Sequence, residues 1–136
     1  MSQTTPVRYG HTTKTALSFE AAVREAKSAL SAQGFGVLCE IDVAKTLKEK
    51  LGIEQQPLLI LGSCNPSFAH QAMEREPGVA LFLPCNVVLR KTEDGVEVSA
   101  IDANVMMGFI GNAALEPVAS EVDKRLRAVI AAIPPN

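Results

Sequence analysis

The sequence predicts a two-layer α+β fold, a mostly antiparallel sheet with two long helices packed on one face. Three observations carry this. Long amphipathic stripes occur near both ends of the chain, at Phe19–Gln33 and from about Pro117 to Ile133. Between them lie short apolar or alternating runs of strand length, and the last two are joined by the turn signal Glu93-Asp94-Gly95. Helices and a late hairpin mixed in this way favour segregated layers over a parallel α/β sheet.

The elements follow in order. Val7 to Lys14, rich in Thr and Tyr with polar alternation, reads as a first strand. Ser18 can accept from the free amides of the next helix, whose residues Phe19, Ala22, Val23, Ala26 and Leu30 share one face. Glu20 and Arg24 pair in the favourable order on its exposed side, and Gly34 stops it. Phe35 to Ile41 is a strand, and Asp42 caps a short helix, Val43 to Leu51, that ends at Gly52. Leu58 to Leu61 is short and wholly apolar, as in a strand buried on both faces. Asn65 then reads as an N-cap and Pro66 as the first residue of a helix, where its missing amide costs nothing. Phe68, Ala69, Ala72 and Met73 form its expected buried stripe, up to Pro77-Gly78. Val79–Leu83 and Val87–Lys91 read as extended around Pro84, which marks a bulge or an edge. Val96 to Ile101 completes the hairpin, Ala103 to Ala114 reads as an apolar loop, flap or dimer contact, and Pro134-Pro135 closes the last helix.

Composition narrows the function. At 136 residues and 47% hydrophobic the chain fits one domain over 1–136, with 1–6 loose and 7–133 globular. Thirteen basic residues against 15 acidic ones, no Trp and one Tyr argue against nucleic acid as a partner. No apolar run reaches the roughly 20 residues of a membrane span, so no membrane partner is expected. Three widely spaced cysteines fit reduced thiols in a cytoplasm better than a disulfide framework.

Two cysteines fall at backbone breaks. Cys64 would sit where a strand turns into a helix, close to the first amides at Ser67 and Phe68. Such a place can lower a thiol pKa, or hold an anionic ligand, while the plainer reading is a buried filler. Cys85 follows Pro84 at a strand break and could pair with Cys64 if their strands are neighbours. His70, about one turn into the helix, could face the same pocket. Cys64, Asn65, Ser67, His70 and Cys85 are therefore the candidate ligand-binding residues, with Cys64 and Cys85 the only catalytic candidates. Close-spaced zinc ligands are missing, and Met73, Met106 and Met107, which could serve copper(I), read equally as packing. No metal or cofactor is expected. Asp42 and Asp102 are sufficiently explained as a cap and a turn, and Gly108–Gly111 lacks the lysine and spacing of a phosphate loop. A small-ligand binding domain is one reading; a redox enzyme or sensor with Cys64 as nucleophile and Cys85 as resolving cysteine is the other.

The runs GFGVLCEIDVAKTL, LGSCNPSFAHQAM and LFLPCNVVL, followed by the DG hairpin, resemble the prokaryotic family called domain of unknown function 302. Cys64-Asn65-Pro66 and Pro84-Cys85 are the most specific parts of the likeness, which runs from about Val7 to Ile133. Cys39, where the family often has Thr, and Ala103, where it usually has Pro, depart from the pattern. The resemblance implies a β-α-β4-α fold of the TATA-binding-protein-like type and a homodimer. It implies no activity, and a fold alone supplies none.

Overall fold

The structure is a computed structural model that describes residues 7–135; the expected loose segment, 1–6, lies outside the described residues. Five strands, β1 (Gly10–Thr15), β2 (Gly36–Asp42), β3 (Leu58–Cys64), β4 (Cys85–Thr92) and β5 (Gly95–Ile101), form one sheet in the order β1-β5-β4-β3-β2. Every neighbouring pair is antiparallel. The helices are α1 (Phe19–Ala32), α2 (Val43–Leu51), α3 (Pro66–Arg75), α4 (Ala103–Gly108) and α5 (Glu116–Ala131). Ala100 stands opposite Val87, and Val87 opposite Leu61, so one inward row crosses three strands. Val98 and Leu89 extend the same face, and α1 and α5 cover it with Ala22, Ala26, Leu30, Val122, Leu126 and Val129. The two-layer expectation holds.

Local chemistry sets the helix ends. Ser18 accepts from the Ala21 amide at 3.1 Å and Asp42 from the Lys45 amide at 2.9 Å, as their positions in the sequence require. Gly52 closes α2 at φ +67°, a left-handed conformation that glycine adopts without steric cost.

Four local expectations are corrected. Of the run 79–83 only Leu83 is extended: Pro77–Phe82 is a 3-10 turn, held by Val79 N–H donating to Glu76 and Leu83 N–H to Ala80. Pro77 fixes the entry φ, and only Val79 of this run is buried while Leu81 is 90% exposed. Pro84 follows a cis peptide bond just before β4, a central strand, so it marks neither a bulge nor an edge; the irregularity lies in β2 between Val37 and Cys39. Residues 103–108 form α4 rather than loop, because Asp102 caps the Val105 amide at 3.0 Å and Ala103, Met106 and Met107 are buried at helical spacing. Met73 leaves the α3 stripe and is 39% exposed; Ala72 is buried and Phe68 and Ala69 half-buried.

The helical layer is tied to the sheet edge by a buried carboxylate. Asp123 of α5, 3% exposed, accepts from His11 Nε2 of β1 at 2.8 Å, from the Ala103 amide at 3.0 Å and from Arg127 Nε at 3.2 Å. Asp102 Oδ2 stands 3.7 Å from the same His11 nitrogen. Removing the carboxylate leaves three donors without their acceptor: the Ala103 amide in the interior, the half-buried His11 ring and the exposed Arg127. Asp123→Ala should destabilise the fold by about 2–4 kcal/mol, read as a lower urea midpoint at unchanged slope; a loss under about 0.5 kcal/mol, the range of ordinary surface changes, would remove this tie from the account.

Candidate functional site

The candidate site is the corner where β3 leaves the sheet and β4 enters it. Ser63 is opposite Cys85 in the β3–β4 register, and its fully buried hydroxyl donates to the Cys85 carbonyl at 2.7 Å. Cys64 is the next residue, after which Asn65 and Pro66 turn the chain into α3. The corner thus brings Cys64 and Cys85, twenty-one positions apart, to one small cavity. Phe35, Phe68, Leu83, Met107 and Val122 supply most of its remaining wall. Its volume is about 20 Å³, room for a group the size of one water molecule. No charged side chain lines it.

Both thiols are free, Cys64 half-buried and Cys85 buried. Burial among apolar side chains raises the Cys64 pKa above the ordinary thiol value. Burial, with the nearby Cys64 charge added, pushes Cys85 up to about 11. A place at the start of α3 can lower a thiol pKa, but at Cys64 burial raises it instead. Both sulfurs carry protons at neutral pH.

The other candidates divide. Asn65 lines the cavity, but it does not cap α3 as expected. Its Nδ2 donates to the Gln33 carbonyl at 3.3 Å, which joins the start of α3 to the end of α1. That carbonyl would otherwise lack a helical partner, and the neighbouring Gly34 has φ +85° with the Asn65 amide close beside it. Ser67 and His70 lie outside the cavity: Ser67 is exposed and accepts from Gln71, and exposed His70 stands 3.4 Å from Glu74. Helical geometry explains this, because Phe68, Ala69 and Ala72 take the inward face and turn positions 67 and 70 to water. Cys39 is exposed at the β2 irregularity, with its sulfur over Gly62 rather than near the other thiols.

Of the three methionines that could serve copper(I), Met107 enters the wall, from α4. Two residues escaped the sequence reading. Arg125 of α5 lays its guanidinium 5.1 Å from the centre of the Phe68 ring, donates to the Gln33 carbonyl at 3.1 Å and pairs with Glu121. The other is Asp123, whose partners are given above. Neither spacing nor composition announces them, although a lone acidic residue within the apolar stripe of the last helix is a usable signal for Asp123. The ligand atoms of His11, Asp102 and Asp123 all lie within 4.8 Å of one another, as metal ligands do. Asp123, however, already uses both oxygens on donors, so a cation there would have to displace Arg127 or the Ala103 amide.

A wider, open cleft of about 390 Å³ adjoins the site, lined by Asn104, Met107, Gly111, Asn112, Glu116 and Ala119 among others. Met107 belongs to the walls of both spaces.

Comparison with known proteins agrees with this architecture. A crystal structure of an uncharacterised conserved DUF302 protein from Bacillus stearothermophilus superposes with a TM-score of 0.88 at 26% identity, covering 94% of this chain and all of the other. No curated protein matches the chain. No helix among the described residues is long and apolar enough to cross a membrane. The family profile described as Domain of unknown function DUF302 matches residues 11–133, and the chain belongs to that family.

Proposed function

We propose that the chain is a homodimeric binding domain whose ligand reaches the cavity at Cys64, Asn65 and Cys85. The observation that carries this is the convergence of two free thiols, from the end of one strand and the start of the next, on a single space. Structural thiols need no such convergence, and an enzyme would need more than it. Neither Cys64 nor Cys85 has a depressed pKa, and among the described residues neither joins a His, Asp or Glu in a three-residue cluster of ligand atoms. The protein purified from a lysate without added ligand should carry a bound species in native mass spectrometry, lost in Cys64→Ala and Cys85→Ala. A bare wild-type mass, with no thermal shift from any added metabolite or ion, would overturn the reading.

The redox pair is the second reading, favoured by the shared cavity alone. It needs a reactive Cys64 thiolate, and the raised pKa opposes that. Alkylation of Cys64 by iodoacetamide should follow a midpoint above the ordinary thiol value, with Cys85 slower still. A midpoint below pH 7 for Cys64 would restore the redox pair.

The homodimer rests on β2 and α2. Among the described residues the outer edge of β2 has no partner strand, and Leu38 and Leu51 are 68% and 66% exposed, with Ile41 and Ile53 also exposed. The apolar stripe of α2, Val43, Leu47 and Leu51, contains no buried residue, an arrangement stable in water only when something covers it. A second copy supplies the same surface across a twofold axis. Because the ladder is irregular beside Leu38, side chains rather than a continuous sheet would carry the contact. Light scattering should give twice the chain mass for the wild type and the single mass for Leu38→Glu combined with Leu51→Glu. A wild-type monomer throughout the micromolar range would exclude this interface.

A further inference from the structure

The geometry points to the ligand as a single copper(I) ion, held by the sulfurs of Cys64, Cys85 and Met107. This deepens the binding reading and rests on it. Three features of the cavity select the ion. The first is size: about 20 Å³ admits one atom-sized guest and no organic molecule. The second is the lining, which offers two thiols and one thioether among Phe35, Phe68 and Val122. A trapped water needs two to four good polar partners; sulfur and aromatic carbon are poor ones, and Asn65, the one polar amide in the lining, already donates to the Gln33 carbonyl. The third is the donor set. Among the described residues no histidine or carboxylate joins the two cysteines to make a cluster of three such ligands. Zinc, which takes four ligands of nitrogen, sulfur or oxygen, is therefore poorly served, whereas soft thiolate and thioether donors suit copper(I).

The charges balance. Each cysteine gives its proton to water as its sulfur binds, copper keeps its oxidation state, and the bound unit carries a net charge of −1. The Arg125 guanidinium, stacked on the Phe68 ring that forms part of the wall, lies behind it and offsets that charge in part, since it also pairs with Glu121. Met107 lines the outer cleft as well as the cavity, so a donor docked in that cleft would meet its thioether first. The sequence offers three methionines for copper(I), and only the fold, which carries α4 over the β3–α3 corner, selects Met107 among them.

Anaerobic titration with copper(I) against a chromophoric chelator tests the assignment on the intact chain. One equivalent should bind, and X-ray absorption should show a shell of sulfur alone. Cys64→Ser and Cys85→Ser should each weaken binding by more than the roughly 100-fold upper range for loss of an outer-shell partner, and Met107→Leu by about 10-fold or more. Cys39→Ser should leave affinity unchanged. Met107→Leu conserves volume, and Cys64 is only half-buried, so these two variants test the site even if Cys85→Ser fails to fold. Retention of all copper by the chelator, a nitrogen or oxygen shell, or an equal loss in Cys39→Ser would overturn the site. If copper fails to bind while lysate-purified protein still carries another species that Cys64→Ser loses, the copper assignment falls and the binding reading stands. If the wild type carries neither, both fall.

Discussion

The buried hydrogen bond from Ser63 to the Cys85 carbonyl is the contact on which the rest of the site depends. A hydroxyl with no exposed surface costs several kcal/mol unless it is bonded, and the carbonyl at 2.7 Å removes that cost. The bond fixes the last inward position of β3 against the first residue of β4. Pro84 and the 3-10 turn must then lie ahead of the sheet, and α3 must begin within three residues beyond it. Cys64 and Cys85 meet because the two strands change role at the same level.

The helices close what that pairing opens. The carbonyl of Gln33, at the end of α1, accepts from both Asn65 and Arg125, so α1, α3 and α5 are joined at one oxygen. Phe35 follows directly, and with Phe68 and Val122 it shuts the cavity from the helical side. The apolar wall that results is what raises both thiols. The same packing that shapes the space therefore favours the protonated thiols, so nucleophilic attack and metal binding alike begin with loss of a proton.

What the sequence disclosed was what local chemistry decides. Ser18 and Asp42 announce their helices because a cap and the amide it serves lie three residues apart, and the Glu93-Asp94-Gly95 turn pairs its own flanking strands. The run 77–83 misled because its composition is that of a strand, while its conformation follows from Pro77 and the turn hydrogen bonds. His70 failed for a different reason: its distance along the helix was right and its face was wrong. In the site, Cys64 and Cys85 were legible as breaks in the pattern. Asp123 and His11 were not, because 112 residues separate them and only the sheet order puts β1 beside α5. Arg125 shares that difficulty.

Two clusters of potential ligands exist in this fold, and their hydrogen bonding separates their roles. At Asp123 every lone pair that faces the protein meets a donor: an imidazole, an amide and a guanidinium. That arrangement is complete without a guest, and it secures β1, α4 and α5 to one another. At the β3–α3 corner the Ser63 hydroxyl and the Asn65 amide each have a hydrogen-bond partner, yet the two thiols are left free around a space. A void the size of one water is within what close-packed cores hold, so the sulfur lining, rather than the volume, sets this corner apart. Met107 divides the two spaces, and a long unbranched thioether is the side chain that can both seal the cavity and yield to a guest.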